Sequence, residues 1–261
     1  MKLLFIGDIV GRPGRETVKK AIPAILKAND IKFVIMNGEN AAGGAGITPA
    51  VSDELSEMGA DAITLGNHAW KRKEVFQIID REDIVRPANY PPDVPGKGYT
   101  IINKDSVRVA VVNLMGRVYM SGLDCPFRTA DSVIEEIKRA GVKNIFLDFH
   151  AEITSEKITM GWYLDGKVTA VIGTHTHVQT ADERVLPQGT AYVTDAGMTG
   201  ARDSVIGVKK EIVIKKYLTQ MPMKFEVAEN DPVISAVVID FNENRGRANG
   251  IKRIFESVKN G

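Results

Sequence analysis

Five apolar, strand-like runs in this chain stop on residues that hold metals or move protons. They read Leu3-Leu4-Phe5-Ile6-Gly7-Asp8, Phe33-Val34-Ile35-Met36-Asn37-Gly38-Glu39-Asn40, Ala62-Ile63-Thr64-Leu65-Gly66-Asn67-His68, Ile145-Phe146-Leu147-Asp148-Phe149-His150 and Ala170-Val171-Ile172-Gly173-Thr174-His175-Thr176-His177. All four histidines of the chain stand at such ends. In open α/β sheets the carboxyl ends of strands are where ligands bind. A fold that serves all five runs must gather them at one edge, around one polynuclear metal site.

The spacing of apolar residues between the runs predicts the rest of the scaffold. Val18, Ile22, Ile25 and Leu26 recur at helical spacing. Thr48-Pro49 supplies an N-cap and an N1 proline for a helix through Met58. Lys71 to Ile79 reads as a third helix, striped by Val75, Ile78 and Ile79. Strands alternating with helices predict a parallel, helix-flanked sheet. The middle changes to a hairpin, Tyr99 to Ile102 and Val107 to Leu114 around Lys104-Asp105. Helices follow over about Thr129 to Ala140 and Ser155 to Tyr163. The tail reads as strand at Ala191 to Thr194, Glu211 to Tyr217, Met223 to Ala228 and Val233 to Phe241, the last as a half-buried edge or meander strand. Ile251 to Val258 reads as strand or short helix. The expected architecture is one α/β domain over residues 1–261, two sheets face to face with helices outside.

Composition limits the partners. Lys plus Arg total 34 against 33 acids, so no global field recruits nucleic acid or an anionic membrane. Lys71-Arg72-Lys73 is the one local basic candidate, and it also reads as a solvated helix start. Cys125 is the only cysteine, which excludes an intrachain disulfide. No run approaches the ~20 apolar residues of a membrane span. Met1 to Ile6 is too short for a signal-peptide apolar region. The expectation is a cytoplasmic protein.

At the strand ends, the residue types specify the chemistry. In an extended segment residues i and i+2 share a face, so His175 and His177 can reach one centre, although His-x-His also occurs in polar loops. Imidazole is the commonest protein ligand for borderline transition metals. Asn67 offers a neutral oxygen while His68, pointing elsewhere, stays free for proton work. Asp8 and Glu39 supply anionic oxygens, and a carboxylate can bridge two cations. Asn40 adds a carbonyl oxygen, and His150 ends an otherwise apolar run. Each has a structural alternative, such as a helix cap for Asp8; their joint placement points to the metal. Gly43-Gly44-Ala45-Gly46 reads as a phosphate-approaching or merely flexible loop. Arg12 and Arg15 read as substrate contacts or solvated surface. Cys125 reads as an inert or pocket-lining thiol.

Gly66-Asn67-His68, the lone His150 and Gly173-Thr174-His175-Thr176-His177 together resemble the calcineurin-like metallophosphoesterases. Two departures narrow the resemblance. The first motif, Gly7-Asp8-Ile9-Val10, lacks its histidine, and the second, Gly38-Glu39-Asn40, has Glu for Asp. With Gly11-Arg12-Pro13-Gly14 and Thr194-Asp195-Ala196-Gly197-Met198-Thr199-Gly200, the chain is similar to the YmdB-like bacterial branch. The resemblance implies a four-layer α/β/β/α sandwich of two mixed sheets flanked by helices. It implies two divalent or mixed-valence transition metal ions per chain, iron or manganese. Asp8, Glu39, Asn40 and His177 would hold one; Glu39, Asn67, His150 and His175 would hold the other. It further implies hydrolysis of small phosphodiesters, cyclic nucleotides among them, by in-line attack of a metal-bridging hydroxide with His68 as general acid. The competing readings are a phosphomonoesterase or nucleotidase on the same site, and a regulatory protein that binds a nucleotide at a sluggish site. Exposed apolar sheet edges leave self-association into a homo-oligomer open.

Overall fold

The computed structural model describes residues 1–258; the last three residues of the expected domain lie outside the described residues. The chain opens with β1 (Lys2–Ile6), β2 (Asp8–Ile9), α1 (Gly11–Asn29), β3 (Phe33–Asn37), α2 (Pro49–Glu57), β4 (Ala62–Thr64) and β5 (Ile84–Val85). A hairpin of β6 (Tyr99–Lys104) and β7 (Val107–Met115) leads into α3 (Pro126–Arg139), β8 (Asn144–His150), α4 (Thr154–Tyr163) and β9 (Ala170–Thr174). Then come β10 (Arg184–Val185), β11 (Ala191–Val193), β12 (Met198–Ala201), α5 (Lys210–Thr219), β13 (Pro232–Asn242) and β14 (Arg247–Ser257).

The strands form two mixed sheets. One runs β2-β12-β13-β1-β3-β4-β5 with β14 beside β13; the other runs β10-β11-β9-β8-β7-β6. Period-two alternation divides each strand between two cores. Leu4, Ile6, Val34 and Met36 pack outward against Val18, Ile22 and Ile25 of α1 and Val51 and Leu55 of α2. Leu3, Phe5, Phe33 and Ile35 pack inward against Val109, Val111, Phe146 and Ile172 of the second sheet. Ala110, Val112, Ile145 and Leu147 face Ala130, Ile134 and Ile137 of α3 and Met160 of α4. The layers are therefore helix, sheet, sheet, helix.

Several local expectations are met. Thr48 caps α2, its Oγ1 accepting from the Val51 amide at 3.4 Å, with Pro49 in the first turn. The β6–β7 hairpin forms, its turn one residue later than expected: Lys104 closes β6 and Asp105 and Ser106 take positive φ, as a two-residue hairpin requires. Others are corrected. Lys71 to Ile79 forms only a 3-10 turn, Lys73–Gln77, although Val75, Ile78 and Ile79 are buried as expected. Glu211 to Tyr217 is helix α5 and not a strand. Its Ile212-Val213-Ile214 run mimics a strand, yet only Val213 is buried, and Glu211 and Lys216 sit where the helix dipole favours them. Met223 to Ala228 contributes one bridge, Val208 to Val227. Val233 to Phe241 lies inside β13, which pairs with β1 and β12 and so is not an edge, while its antiparallel pairing with the following β14 is that of a meander. Both faces of β13 supply apolar residues to cores. Ile251 to Val258 falls mainly in strand β14, and α3 starts at Pro126, with Cys125 as its cap residue. No helix among the described residues is long and apolar enough to cross a membrane.

Candidate metal centre

The inter-sheet layer changes chemistry along the strands. Near the middle, Phe33, Ile35, Ala62, Phe146, Ala170 and Ile172 form a dry core. Further toward the carboxyl ends the next inward positions are Asn37, Thr64, Asp148 and Thr174, all buried. Asp148 Oδ2 accepts from Asn37 Nδ2 at 3.0 Å and from Thr64 Oγ1 at 2.5 Å, tying one sheet to the other. Beyond that polar layer lie the residues singled out by the sequence.

The structure brings all eight of them together. His150 Nε2 lies 3.1 Å from Glu39 Oε1, 2.8 Å from Asn67 Oδ1 and 3.1 Å from His175 Nδ1. Asn40 Nδ2 lies 3.1 Å from both Glu39 Oε1 and His177 Nε2, and Asn40 Oδ1 is 2.7 Å from His68 Nδ1. His177 Nε2 is 3.9 Å from Asp8 Oδ1, and Asp8 Oδ2 accepts the His175 amide at 3.1 Å. Glu39 joins the two groups, its other oxygen accepting the His68 amide at 3.1 Å. Gly66 is required by this crowding: a Cβ there would run into Glu39 Oε2 and the His150 ring.

Hydrogen bonds on the far side of each ring fix which nitrogen faces inward. Thr174 Oγ1 donates to Asp148 Oδ1 at 2.6 Å, so at 2.9 Å it accepts from His150 Nδ1–H. His177 Nδ1 is 2.9 Å from the Ile206 carbonyl, which can only accept. His175 Nε2 lies 2.9 Å from Glu152 Oε2. The His150 and His177 imidazoles therefore turn an unprotonated nitrogen toward the cluster when neutral. Metal-ligating histidines are oriented this way.

The electrostatics follow from burial. Glu39 is fully buried, which raises its pKa, but the charge and hydrogen bond of His150 outweigh this and leave it at about 2. Burial disfavours the charged form of His150, yet Glu39, Asp8 and Asp148 together push it up to about 9. Burial and the neighbouring His150 hold His175 down at about 3. Burial also raises Asp8 and lowers His68. Without an ion, the cluster needs a proton on His150 to separate its converging lone pairs.

A cation fits in that place. Glu39, His150 and His175 offer ligand atoms mutually within 4.8 Å, and donors ~2.1 Å from a shared ion stand about 3–3.4 Å apart. Asp8 Oδ1 is buried with no hydrogen-bond partner among the described residues, a costly state for a carboxylate oxygen unless something cationic satisfies it. The mixed carboxylate, amide and imidazole set suits first-row transition metals.

One geometric expectation is corrected. His175 and His177 are not successive same-face residues of an extended strand, because β9 ends at Thr174 and both have positive φ, 98° and 66°. Such backbone is strained for non-glycine residues and persists only when the surroundings impose it. Here Asp195 imposes it. Its Oδ2 accepts from the Thr176 amide at 3.1 Å and the Thr176 hydroxyl at 2.8 Å, while Lys157 Nζ donates at 2.6 Å from a buried position. The turn aims the two imidazoles at different ends of the site.

Asn37, Thr64, Asp148, Glu152, Lys157, Thr174 and Asp195 escaped the sequence reading as supporting residues. A usable signal existed for Asp148, which stands two positions before His150 on the same face of β8, and for Asn37, which closes β3 two positions before Glu39. Arg12 and Arg15 turn away to Glu16 and Glu54. Arg72 braces the glycine loop through the carbonyls of Ala42 and Ala45. Cys125 lines a separate cavity with Arg86, Tyr90 and Arg128.

A mixed α/β sandwich of two sheets, with a carboxylate–amide–imidazole cluster at its strand ends, has the architecture of a metallophosphoesterase. The chain matches the YmdB-like protein family over residues 4–254 and belongs to that family. It is 50% identical over 256 residues to the 2′,3′-cyclic-nucleotide 2′-phosphodiesterase of Bacillus subtilis (strain 168), covering 98% of this chain and 97% of that one. Among solved structures it resembles a hypothetical protein from Thermus thermophilus, with TM-score 0.93 and 42% identity over 98% and 99% of the two chains. It also resembles a novel phosphatase from Mycoplasma pneumoniae, with TM-score 0.93 and 30% identity over 98% and 93%.

Proposed function

We propose that this chain is a metal-dependent phosphodiesterase that hydrolyses small phosphodiesters, 2′,3′-cyclic nucleotides foremost. The observation that carries the reading is the convergence of Glu39, His150 and His175 within 4.8 Å, with the unpartnered Asp8 oxygen alongside. The name of the Bacillus subtilis relative supports the diester class. On this reading Glu39, Asn67, His150 and His175 hold one cation and Asp8, Glu39, Asn40 and His177 a second, with Glu39 between them. Two such ions, iron or manganese, when bound supply charge neutralisation for phosphoryl oxygens and a lowered pKa for water.

The protein supplies position and a proton. His150 is held by Thr174 and Asp148, and the His175–His177 turn by Asp195 and Lys157. Asn40 can present either end of its amide. With its oxygen toward the cluster, its NH2 faces His68 Nδ1 and leaves the His68 proton on Nε2. The His68 side chain is 29% exposed, at the rim of the buried cluster, where a leaving oxygen can reach it. An alkoxide departs poorly without a proton, and such an acid is worth ~10²–10⁴-fold.

Turnover of 2′,3′-cyclic AMP, bis(p-nitrophenyl) phosphate and p-nitrophenyl phosphate, before and after chelation, tests the reading. Diester hydrolysis should exceed monoester hydrolysis, vanish on chelation and return with Mn²⁺. His68→Ala should lower turnover of the unactivated diester about 10²–10⁴-fold at unchanged metal content. A strong monoester preference would overturn the diester reading in favour of a phosphatase, and full activity in His68→Ala would remove the acid.

A further inference from the structure

A cavity of about 560 Å³ opens between the segment that follows β5 and the first turns of α3. None of the eight cluster residues lines it. One wall carries Arg86, which is only 9% exposed. Its guanidinium donates to the carbonyls of Pro95, Pro87 and Val94 at 2.8–2.9 Å, one bond from each nitrogen, which leaves an N–H free on each of Nη1 and Nη2. Burial lowers the Arg86 pKa, opposed only by Tyr90, and no carboxylate offsets its charge among the described residues. A buried cation without a counter-ion is costly, and the cavity is where one can reach it.

Another wall is the start of α3. Pro126 has no N–H, and the Thr129 amide is bonded to the Cys125 carbonyl. No side-chain hydrogen bond caps this helix, and its first turn holds no acid. The Phe127 and Arg128 amides therefore carry the positive end of a 14-residue helix, the part of a helix that binds oxyanions. The Cys125 thiol senses that field. The Arg128 amide lowers its pKa most, burial opposes, and the Phe127 amide and the charges of Arg117 and Arg128 add to the lowering. Arg117 and Arg128 are both exposed, and neither guanidinium has an ion-pair partner among the described residues. Thr129 and Ser132 add hydroxyls to the wall, whose one acid, Asp124, is exposed. The balance of charge is cationic, and the chemistry suits a dianion.

We infer that this cavity is a second anion site, separate from the metal centre, that takes the phosphate group of a small phosphorylated molecule between Arg86, Arg128 and the first amides of α3. Guanidinium groups match phosphate oxygens in pairs, and a volume in the range of small-molecule sites leaves room for an organic body beyond the phosphate. The inference does not depend on the phosphodiesterase reading. Cys125 is the only thiol of the chain and lines the cavity, so its rate of alkylation by iodoacetamide reports occupancy. At fixed pH and ionic strength, glycerol 3-phosphate should slow alkylation relative to chloride, by about tenfold at ten times its Kd. Arg128→Ala, compared with itself in chloride, should raise that Kd about 10- to 150-fold, the worth of a hydrogen bond between charged groups. Arg139→Ala, at the other end of α3, should leave it unchanged. Inorganic phosphate should protect more weakly; protection at least as strong would overturn the organic ligand in favour of the free ion. No protection by either, or protection unmoved in Arg128→Ala, would overturn the site.

Discussion

Glu39, Asn67, His150 and His175 sit in a mesh of contacts at 2.8–3.1 Å, and His150 is held from behind by Thr174 and Asp148. A short distance away, Asp8 presents a buried oxygen with no hydrogen-bond partner among the described residues, 3.9 Å from His177. His150, at the centre of the first group, ends β8 and inherits its rigidity. The second depends on His177, which sits on the strained turn that also carries His175. Preorganised ligands pay less on binding, so the His150 half should hold its cation more tightly and the Asp8 half should exchange more readily.

Substitutions can break this contrast. Glu39→Gln should have the largest effect, since Glu39 touches both halves: metal content should fall in both, with an activity loss beyond the 10–100-fold typical of outer partners. Asp8→Asn should empty only the looser half, so elemental analysis should find about one ion where the proposed centre of the parent would hold two. Loss of both ions from Asp8→Asn would erase the distinction. Thr174→Val removes the hydroxyl behind His150 and should weaken the tighter ion about 10–100-fold, read by titration with Mn²⁺. Glu152→Ala should have the smallest effect. Its side chain is 48% exposed behind His175, and an exposed pair of this kind contributes ~0–1 kcal/mol, so affinity should drop no more than about fivefold.

The legible and illegible parts of the molecule divide along the same lines. Asp8, Glu39, Asn40, Asn67, His68, His150, His175 and His177 were visible because rare, chemistry-bearing types interrupt apolar runs at strand ends. The layering was visible too, since Leu3/Phe5 and Leu4/Ile6 alternate between two cores. Asp148 and Thr174, in strands, and Asp195, in the loop after β11, were hidden because a buried threonine or aspartate looks like any other until its partner arrives from a distant segment. Lys157 lies on a short helix and reads as solvated; only tertiary packing shows it paired with Asp195 inside the protein. α5 was misread because Ile212, Val213 and Ile214 are β-branched, while no sheet edge lies there to receive them.

Metal stoichiometry measured together with activity is the most direct test of the two-cation centre. Protein purified anaerobically and analysed for iron and manganese while hydrolysing 2′,3′-cyclic AMP should approach two ions per chain at full activity, with turnover falling as the second ion is removed. Full activity with less than one ion per chain would contradict it.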